Sequence, residues 1–207
     1  MSIAVRTKKT AKKRIRRTPE QARADALRVA RELLLKRGPN AVTLQAVAAD
    51  IGMTHTNLLH HFGSAAGLQA ALMTEMTREL TNALEHAVQR FRSGKADAEE
   101  LVSLVFDAFD EGGAGRLAAW ISISGEPNKL EAIGEVVQSY LEHIGEEDAS
   151  REARARISSA SFLVTLVAFG DAVIGETVGT MMRRDRNTAR RMIAKLLPVL
   201  LTEYEGA

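Results

Sequence analysis

The chain has 207 residues, a net charge of +2 and no cysteine. This length can bury the core of one or two domains, and the few glycines and prolines exclude a low-complexity chain. The lack of cysteine excludes disulfides and thiol catalysis, and it is compatible with a reducing cytoplasm.

The positive charge is concentrated at the N-terminus. Residues 1–17 hold eight basic residues and no acidic one, so the remaining residues carry a net charge of −6. This arm has no apolar helical face, so we expect it to be disordered until it binds. Its charge favours a nucleic-acid partner, and a solubilising tail is the alternative. The candidate DNA-binding residues of the arm are Lys12, Lys13, Arg14, Arg16 and Arg17.

Three helices are predicted after the arm. Thr18, Pro19 and Gln21 are typical of a helix start with a capping box, and the Gly-Pro pair at 38–39 ends that helix. Thr43 predicts the N-cap of a second helix, which ends at Gly52. Thr54 predicts the N-cap of a third helix that runs to about residue 61.

The third helix separates apolar from polar residues. Leu58 and Phe62 lie four residues apart and predict the inner face. The outer residues form hydrogen bonds and none is acidic, which suits a groove bordered by phosphates. The pattern is that of a helix-turn-helix, whose second helix enters the major groove; a corner in an ordinary helical protein is the alternative. The candidate DNA-binding residues here are Thr43, Gln45, Thr54, His55, Thr56, Asn57, His60, His61 and Ser64.

A long fourth helix should follow, from Ser64 to about Arg92. Apolar residues recur at every fourth position from Leu68 to Val88. At about 1.5 Å per residue this helix would be roughly 40 Å long. It would connect the DNA-binding module rigidly to the rest of the chain.

Residues 18–72 resemble the DNA-binding domain of the TetR (tetracycline repressor) family of bacterial transcriptional regulators. The matching features are the first-helix end at Arg37-Gly38, Thr43 with Val47-Ala48, the run 51–54, Leu58, His61-Phe62, Ser64 and Leu68. The resemblance implies an all-α fold with an N-terminal three-helix domain and a larger helical ligand-binding and dimerisation domain. It also implies DNA contacts at Thr43, Thr54, His55, Thr56, Asn57, His60 and His61.

Two residues depart from the family pattern. The family usually has tyrosine at the position of Leu59 and lysine at the position of Ala65, and both usually contact phosphate. Their loss should weaken non-specific binding. We hypothesise that the basic arm compensates. The alternative is a helical ligand-binding or scaffold dimer whose DNA module has lapsed.

The remainder is predicted to be helical, with helices at about 97–111, 115–124, 130–144, 148–182 and 187–204. We expect three regions, which are a basic arm (1–17), a helix-turn-helix domain (18–63) and a helical ligand-binding and dimerisation domain (64–207). The last two helices are apolar over more than half of their circumference, so they need partners on several sides. A two-fold interface between two copies would supply these, with Ala160, Ala168 and Gly170 allowing close approach. The alternative is a core within one chain.

The resemblance implies a small-molecule effector among the middle helices, and the aromatic and apolar residues there indicate a largely apolar one. The candidate lining residues are Phe106, Phe109, Trp120, Ile123, Tyr140, Val164 and Phe169. We therefore expect a homodimeric regulator of a palindromic operator, most simply a repressor released by its effector.

Other functions find no support in the sequence. His55, His60 and His61 point in different directions around a helix, so we expect no metal site. No nucleophile motif or phosphate loop is present, so we expect neither an enzyme nor a cofactor. Residues 1–17 hold no signal-peptide run. The longest apolar run, residues 157–170, is short for a bilayer and ends at Asp171, so we expect a cytoplasmic protein without a membrane partner.

Overall fold

A computed structural model describes residues 18–124, 131–146 and 150–202, and every regular element in these ranges is helical. The expected all-α fold is thus confirmed. The basic arm lies outside the described residues, and so do its candidate DNA contacts. The helices are α1 (Pro19–Arg37), α2 (Leu44–Ile51), α3 (His55–Phe62), α4 (Ala65–Arg92), α5 (Ala98–Phe109), α6 (Ala114–Ile123), α7 (Glu131–Glu146), α8 (Arg151–Gly170), α9 (Glu176–Met182) and α10 (Thr188–Thr202).

The predicted caps define the N-terminal helices. The Thr18 hydroxyl accepts from the amide of Gln21 at 3.2 Å, and the Gln21 side chain accepts from the amide of Thr18 at 3.0 Å. The hydroxyls of Thr43 and Thr54 each accept from an amide in the first turn of the following helix. Gly52 ends α2 with a φ of 66°, a conformation that glycine adopts without strain. Helix starts and ends in this part of the chain therefore agree with the prediction.

Two apolar cores are built along α4. The first joins α1, α2 and α3 to the start of α4, and it also includes Leu117 and Ile121 of α6. The second joins α5, α8 and α10, with Leu80, Leu84 and Val88 of α4 packed against it. Because α4 contributes to both cores without a break, it holds the helix-turn-helix in a fixed relation to the C-terminal helices.

The predicted helix at 148–182 is present but is not a regular α-helix throughout. Its described part begins at Arg151, since Asp148 lies outside the described residues, and it passes through a π turn at Asp171–Gly175 into α9. Arg186 pairs with Asp171 and, at 2.7 Å, with Asp110 at the end of α5. Asp171 is thus neutralised inside the helix and does not end it.

The apolar run at residues 157–170 was expected to be too short to cross a bilayer. Because the helix continues past Asp171, that expectation is corrected. Residues Arg151–Met182 form a helical segment long and apolar enough to cross a membrane, with a mean hydropathy of 1.8 in its most apolar window and only 17% of that window buried. Length and composition alone are weak evidence for a membrane span. The segment does present an apolar face that the rest of the described chain leaves uncovered.

The uncovered apolar face lies on the last helices, as expected. Two of the three small residues that were expected to lie on it do not. Ala160 and Ala168 are buried within the chain, so they do not allow a second copy to approach. Space around Gly170 is open. The exposed apolar residues of α8, the π turn, α9 and α10 are Phe162, Leu166, Val173, Ile174, Met181, Met182, Met192, Leu196 and Val199.

A buried amide fastens α4 to the turn before α2. The Gln69 side chain is 7% exposed, and its Nε2 donates to the carbonyls of Val42 at 3.1 Å and Pro39 at 3.4 Å. These carbonyls follow the end of α1 and have no part in the α2 ladder. Gln69 therefore holds the entry to the helix-turn-helix against α4.

Replacing Gln69 with leucine should lower the free energy of unfolding by about 1–3 kcal/mol, because it leaves a buried carbonyl without its donor. Urea denaturation measures the change. Gln89→Leu on the exposed side of the same helix is the matched control and should shift the midpoint little. Equal midpoints for the two variants would contradict the role given to Gln69.

Candidate nucleic-acid interface and internal cavity

The outer face of α3 is open to solvent. His55, Thr56, Asn57 and His60 are exposed, whereas Leu58 and Phe62 are buried in the first core. His61 is half-buried, with its ring 6.3 Å from that of Phe62. The structure therefore brings most of the predicted polar residues of α3 to one accessible face.

The remaining candidates lie at the helix starts beside α3. Gln45 is exposed in the first turn of α2. The hydroxyls of Thr43, Thr54 and Ser64 accept hydrogen bonds from backbone amides as N-caps, that of Ser64 from Gly67 at 2.9 Å. These three residues cap α2, α3 and α4. Each hydroxyl can still donate its own hydrogen to another group.

Arg23 of α1 is a positioning residue that the sequence pattern did not indicate. Its Nη1 donates to the carbonyl of His61 at 3.3 Å, and its guanidinium lies 4.8 Å from the centre of the Phe62 ring. A cation is favourable near the carbonyl end of a helix and over an aromatic face. Arg23 thus fixes the C-terminal end of α3. Arg23 and His61 are 38 residues apart in sequence, so no local sequence pattern could indicate this contact.

The two departures from the family pattern lie beside this face. Leu59 is 42% exposed, an unusual position for a leucine on a helix otherwise polar outside. Ala65 is half-buried in the first turn of α4. Neither side chain can donate a hydrogen bond, so neither can make the phosphate contact that the resemblance implies at its position.

A cavity of about 600 Å³ lies between α4, α5, α7, α8 and α10. Of the predicted lining residues, Phe109, Tyr140 and Val164 face it, whereas Phe106, Trp120, Ile123 and Phe169 do not. Phe106 is almost fully buried in the second core, with Arg190 over its ring at 5.5 Å, and Phe169 packs edge-on against Phe109. Ile123 is 78% exposed.

Charged and polar side chains occur at both ends of this otherwise apolar cavity. Arg31 of α1 and Glu79 of α4 form an ion pair at one end, at 2.5 Å. Arg92, Tyr140 and Arg156 lie at the other. Burial, followed by the nearby charge of Glu85, raises the pKa of Tyr140 far above its usual value, so its hydroxyl stays protonated. Sequence periodicity did not point to these arginines, because it indicates buried apolar faces and does not locate charged residues at a cavity.

No metal site was found where the structure describes the chain: no three histidine, aspartate or glutamate side chains there come together as ligands. Of the histidines of α3, His55 and His60 are exposed and His61 is half-buried.

The comparisons identify the N-terminal domain. Residues 26–72, which run from the middle of α1 into α4, match the family model described as bacterial regulatory proteins, tetR family. This part of the chain is therefore similar to the N-terminal domain of the tetR family. The matched residues include the whole of α2 and α3, the helix-turn-helix described above. No curated protein matched the sequence.

Solved structures extend the similarity to the whole fold. A proposed transcriptional regulator from Pseudomonas aeruginosa PAO1 has a TM-score of 0.55 at 18% identity, over 91% of this chain and 94% of its own. The fatty acid degradation regulator FadR from Bacillus halodurans has a TM-score of 0.54 at 16% identity, over 93% and 100%. The superantigen PfiT has a TM-score of 0.53 at 19% identity, over 91% and 100%. At such identities the likeness establishes the fold and no ligand.

Arg23→Ala should weaken DNA binding up to about tenfold, since a cation–π contact and a hydrogen bond together contribute about 1–2 kcal/mol to the placement of α3. Fluorescence anisotropy on a duplex selected by the wild-type chain measures the loss. Arg28→Ala is the control, because Arg28 is exposed and its ion pairs with described residues, Asp25 and Glu32, lie within α1. If both variants bind as the wild type does, Arg23 does not position the reading helix.

Proposed function

We propose that the protein is a homodimeric repressor of a palindromic operator and that a small, largely apolar molecule in the cavity releases it from DNA. The observation that carries the DNA part is the outer face of α3, which is solvent-exposed, free of acids and backed by buried Leu58 and Phe62. A helix of this kind can enter a major groove without repelling phosphate. The proposal divides the chain into the basic arm, the helix-turn-helix domain (18–63) and the effector and dimerisation domain (64–207).

In this proposal α3 reads bases with Thr56, Asn57, His60 and His55. Amides can bond adenine in a bidentate way, and hydroxyls and imidazoles can bond either base edges or phosphate. The capping residues and Gln45 lie where the flanking phosphates would pass, and His61 can add a contact at the groove edge. The basic arm would supply the phosphate contacts that Leu59 and Ala65 cannot make, in or beside a minor groove.

The second copy is proposed to cover the apolar face of α8 and α10. Phe162 is 66% exposed and Leu166 is 50% exposed on α8, and Met192 and Leu196 continue the apolar surface on α10. Side chains of this size rarely form a continuous exposed surface on a monomer. Because the opposite side of α8 is already in the second core, an isologous interface is the arrangement that covers the exposed side with no new element. A two-fold dimer would also present two α3 helices to two half-sites.

Effector release would act through the helices that line the cavity. The same helix α4 begins beside α3 and lines the cavity further along. A ligand that favours one arrangement of α4 would change the separation of the two reading helices, and it could shift DNA affinity only by its preference between the arrangements.

A second candidate function is supported by Leu59 and Ala65. A chain with neither family phosphate contact could have kept the cavity and the dimer while losing DNA binding. It would then be a helical ligand-binding or scaffold dimer. Selection of bound duplexes from a random pool, at two salt concentrations, separates the two functions, because a lapsed module would enrich no sequence.

Asn57→Asp should weaken binding to the selected duplex at least tenfold, since it puts a negative charge on the face proposed to meet the groove. Asn57 lies in the first turn of α3, where an acid stabilises the helix, so lost stability cannot explain a loss of affinity. Asn82→Asp adds the same charge to an exposed position of α4 and should change the affinity less than twofold. Anisotropy titrations at matched salt measure both. Equal affinity of the two variants would place DNA elsewhere.

Phe162→Glu should convert the protein to a monomer, because a charge buried at the proposed interface has no partner. Light scattering after size-exclusion chromatography measures the mass. Ile123→Glu replaces an apolar residue that is more exposed but lies outside the face, and it should leave the mass unchanged. A wild-type chain that is already monomeric at micromolar concentration would refute the dimer.

A further inference from the structure

The cavity is long and follows α4. Lining residues recur along this helix from Met73 to Arg92. Nineteen steps at about 1.5 Å each correspond to about 28 Å. A volume of about 600 Å³ spread along that length forms a narrow space. It suits an extended chain better than a compact ring system.

The end of the cavity near α1 is electrically neutral. Arg31 and Glu79 both line it and pair with each other. Apolar residues, among them Met73, Met76 and Phe109, complete this end. A charged group on a ligand would have no unmatched charge to meet here.

Four helix ends meet at the far end. Arg92, at the end of α4, donates from Nη2 to the carbonyl of Ile144 in the last turn of α7 at 2.7 Å. Arg156, near the start of α8, donates from Nε to the carbonyl of Leu201 near the end of α10 at 3.0 Å. Gly145 of α7 lies against the Arg154 side chain. Hydrogen bonds between helices therefore hold the far end of the cavity together.

Arg156 brings a charge to this end that the described part of the chain does not neutralise. Its guanidinium bonds a backbone carbonyl, and no carboxylate of the described residues lies within ion-pair distance of it. A guanidinium has five N–H donors, so most of the donors of Arg156 remain for a ligand. A positive charge beside an apolar space favours an anion as its partner.

Tyr140 provides a second donor facing the cavity. The described residues form no hydrogen bond with its hydroxyl, which is protonated at neutral pH and whose pKa is raised further by burial. Glu85 lies near Tyr140 but does not line the cavity. The far end thus presents a cation and a neutral donor, and the space between the two ends is apolar.

We propose that the cavity binds an amphiphile with a carboxylate head and a long unbranched apolar chain, with the head at Arg156 and Tyr140 and the chain lying along α4 towards Arg31 and Glu79. The proposal rests on the proposed function, in which this cavity holds the effector, and it names the chemical class of that effector. Arg156 would bind the carboxylate by charge-assisted hydrogen bonds, and Tyr140 would donate one more. Val88, Leu84 and Leu80 would contact successive parts of the chain.

The test compares acids with alcohols of the same length. Dodecanoic acid and dodecan-1-ol are titrated into the delipidated full chain by isothermal titration calorimetry at pH 7. We expect the acid to bind at least tenfold more tightly, and octanoic acid to bind more weakly than dodecanoic acid. Equal dissociation constants for acid and alcohol would overturn the head-group assignment. Tighter binding of the shorter acid would overturn the extended chain.

Variants separate the charge from packing. Arg156→Gln should remove the preference for the acid and leave the affinity for the alcohol within twofold, and Arg156→Lys should keep part of the preference. Arg151→Gln, on an exposed position of the same helix, is the matched control. Tyr140→Phe should lower the affinity for the acid a few-fold and leave the affinity for the alcohol unchanged. Circular dichroism verifies that each variant is folded. The proposal fails if Arg156→Gln lowers the affinities for acid and alcohol equally. It also fails if Arg151→Gln removes the preference for the acid as Arg156→Gln does.

A parallel measurement distinguishes this proposal from the proposed function. Affinity for a selected duplex is measured with and without dodecanoic acid. Acid binding that depends on Arg156 but leaves DNA affinity unchanged refutes release and supports the site. If the chain binds DNA but does not prefer the acid to the alcohol, the carboxylate site is refuted and the proposed DNA-binding function is not.

Discussion

The unbroken hydrogen-bond ladder of α4 is the constraint on which the other features depend. Ser64 caps its start beside α3, Leu68 and Leu72 fill the first core, and Leu84 and Val88 reach the second. A helix of 28 residues is about 42 Å long at about 1.5 Å per residue, and no proline interrupts it. Movement at the cavity end must therefore appear at the other end as rotation or translation of the whole helix.

A second connection runs through α6. Gly113, with a φ of 83°, lies where a Cβ would be 3.0 Å from the Leu35 side chain and 3.3 Å from that of Leu34 in α1. Two residues later, a Cβ on Gly115 would meet Ala172 of the π turn at 2.7 Å. The small residues let α6 pack between the helix-turn-helix and the long C-terminal helix without separating them. The two halves are thus joined by α4 on one side and by α6 on the other, which opposes independent motion of the DNA module.

Predictions from the sequence succeeded where the information is local. A hydroxyl cap at one end and a glycine at the other specify the ends of a helix from neighbouring residues alone, and Thr18, Thr43 and Thr54 all act as the predicted caps. Failures came from contacts distant in sequence. The apolar segment is not confined to residues 157–170, because the helix continues past Asp171, whose carboxylate pairs with Arg186. Phe106 and Phe169 are aromatic residues of the right helices, but helix rotation turns them into the second core and away from the cavity. Arg23 and Arg156 act through carbonyls 38 and 45 residues away.

Helix α8 links the two surfaces whose functions are proposed. Val164 faces the cavity, whereas Phe162 and Leu166, on other sides of the same helix, carry the exposed apolar face. A packed helix moves as a rigid body, because close-packed interiors cannot absorb a displacement locally. A ligand that shifts α8 by filling the cavity would therefore shift the surface on which a second copy would rest, and with it the separation of two α3 helices. Linkage makes the effect mutual. A duplex that holds that separation fixed must weaken the ligand by the same factor by which the ligand weakens the duplex.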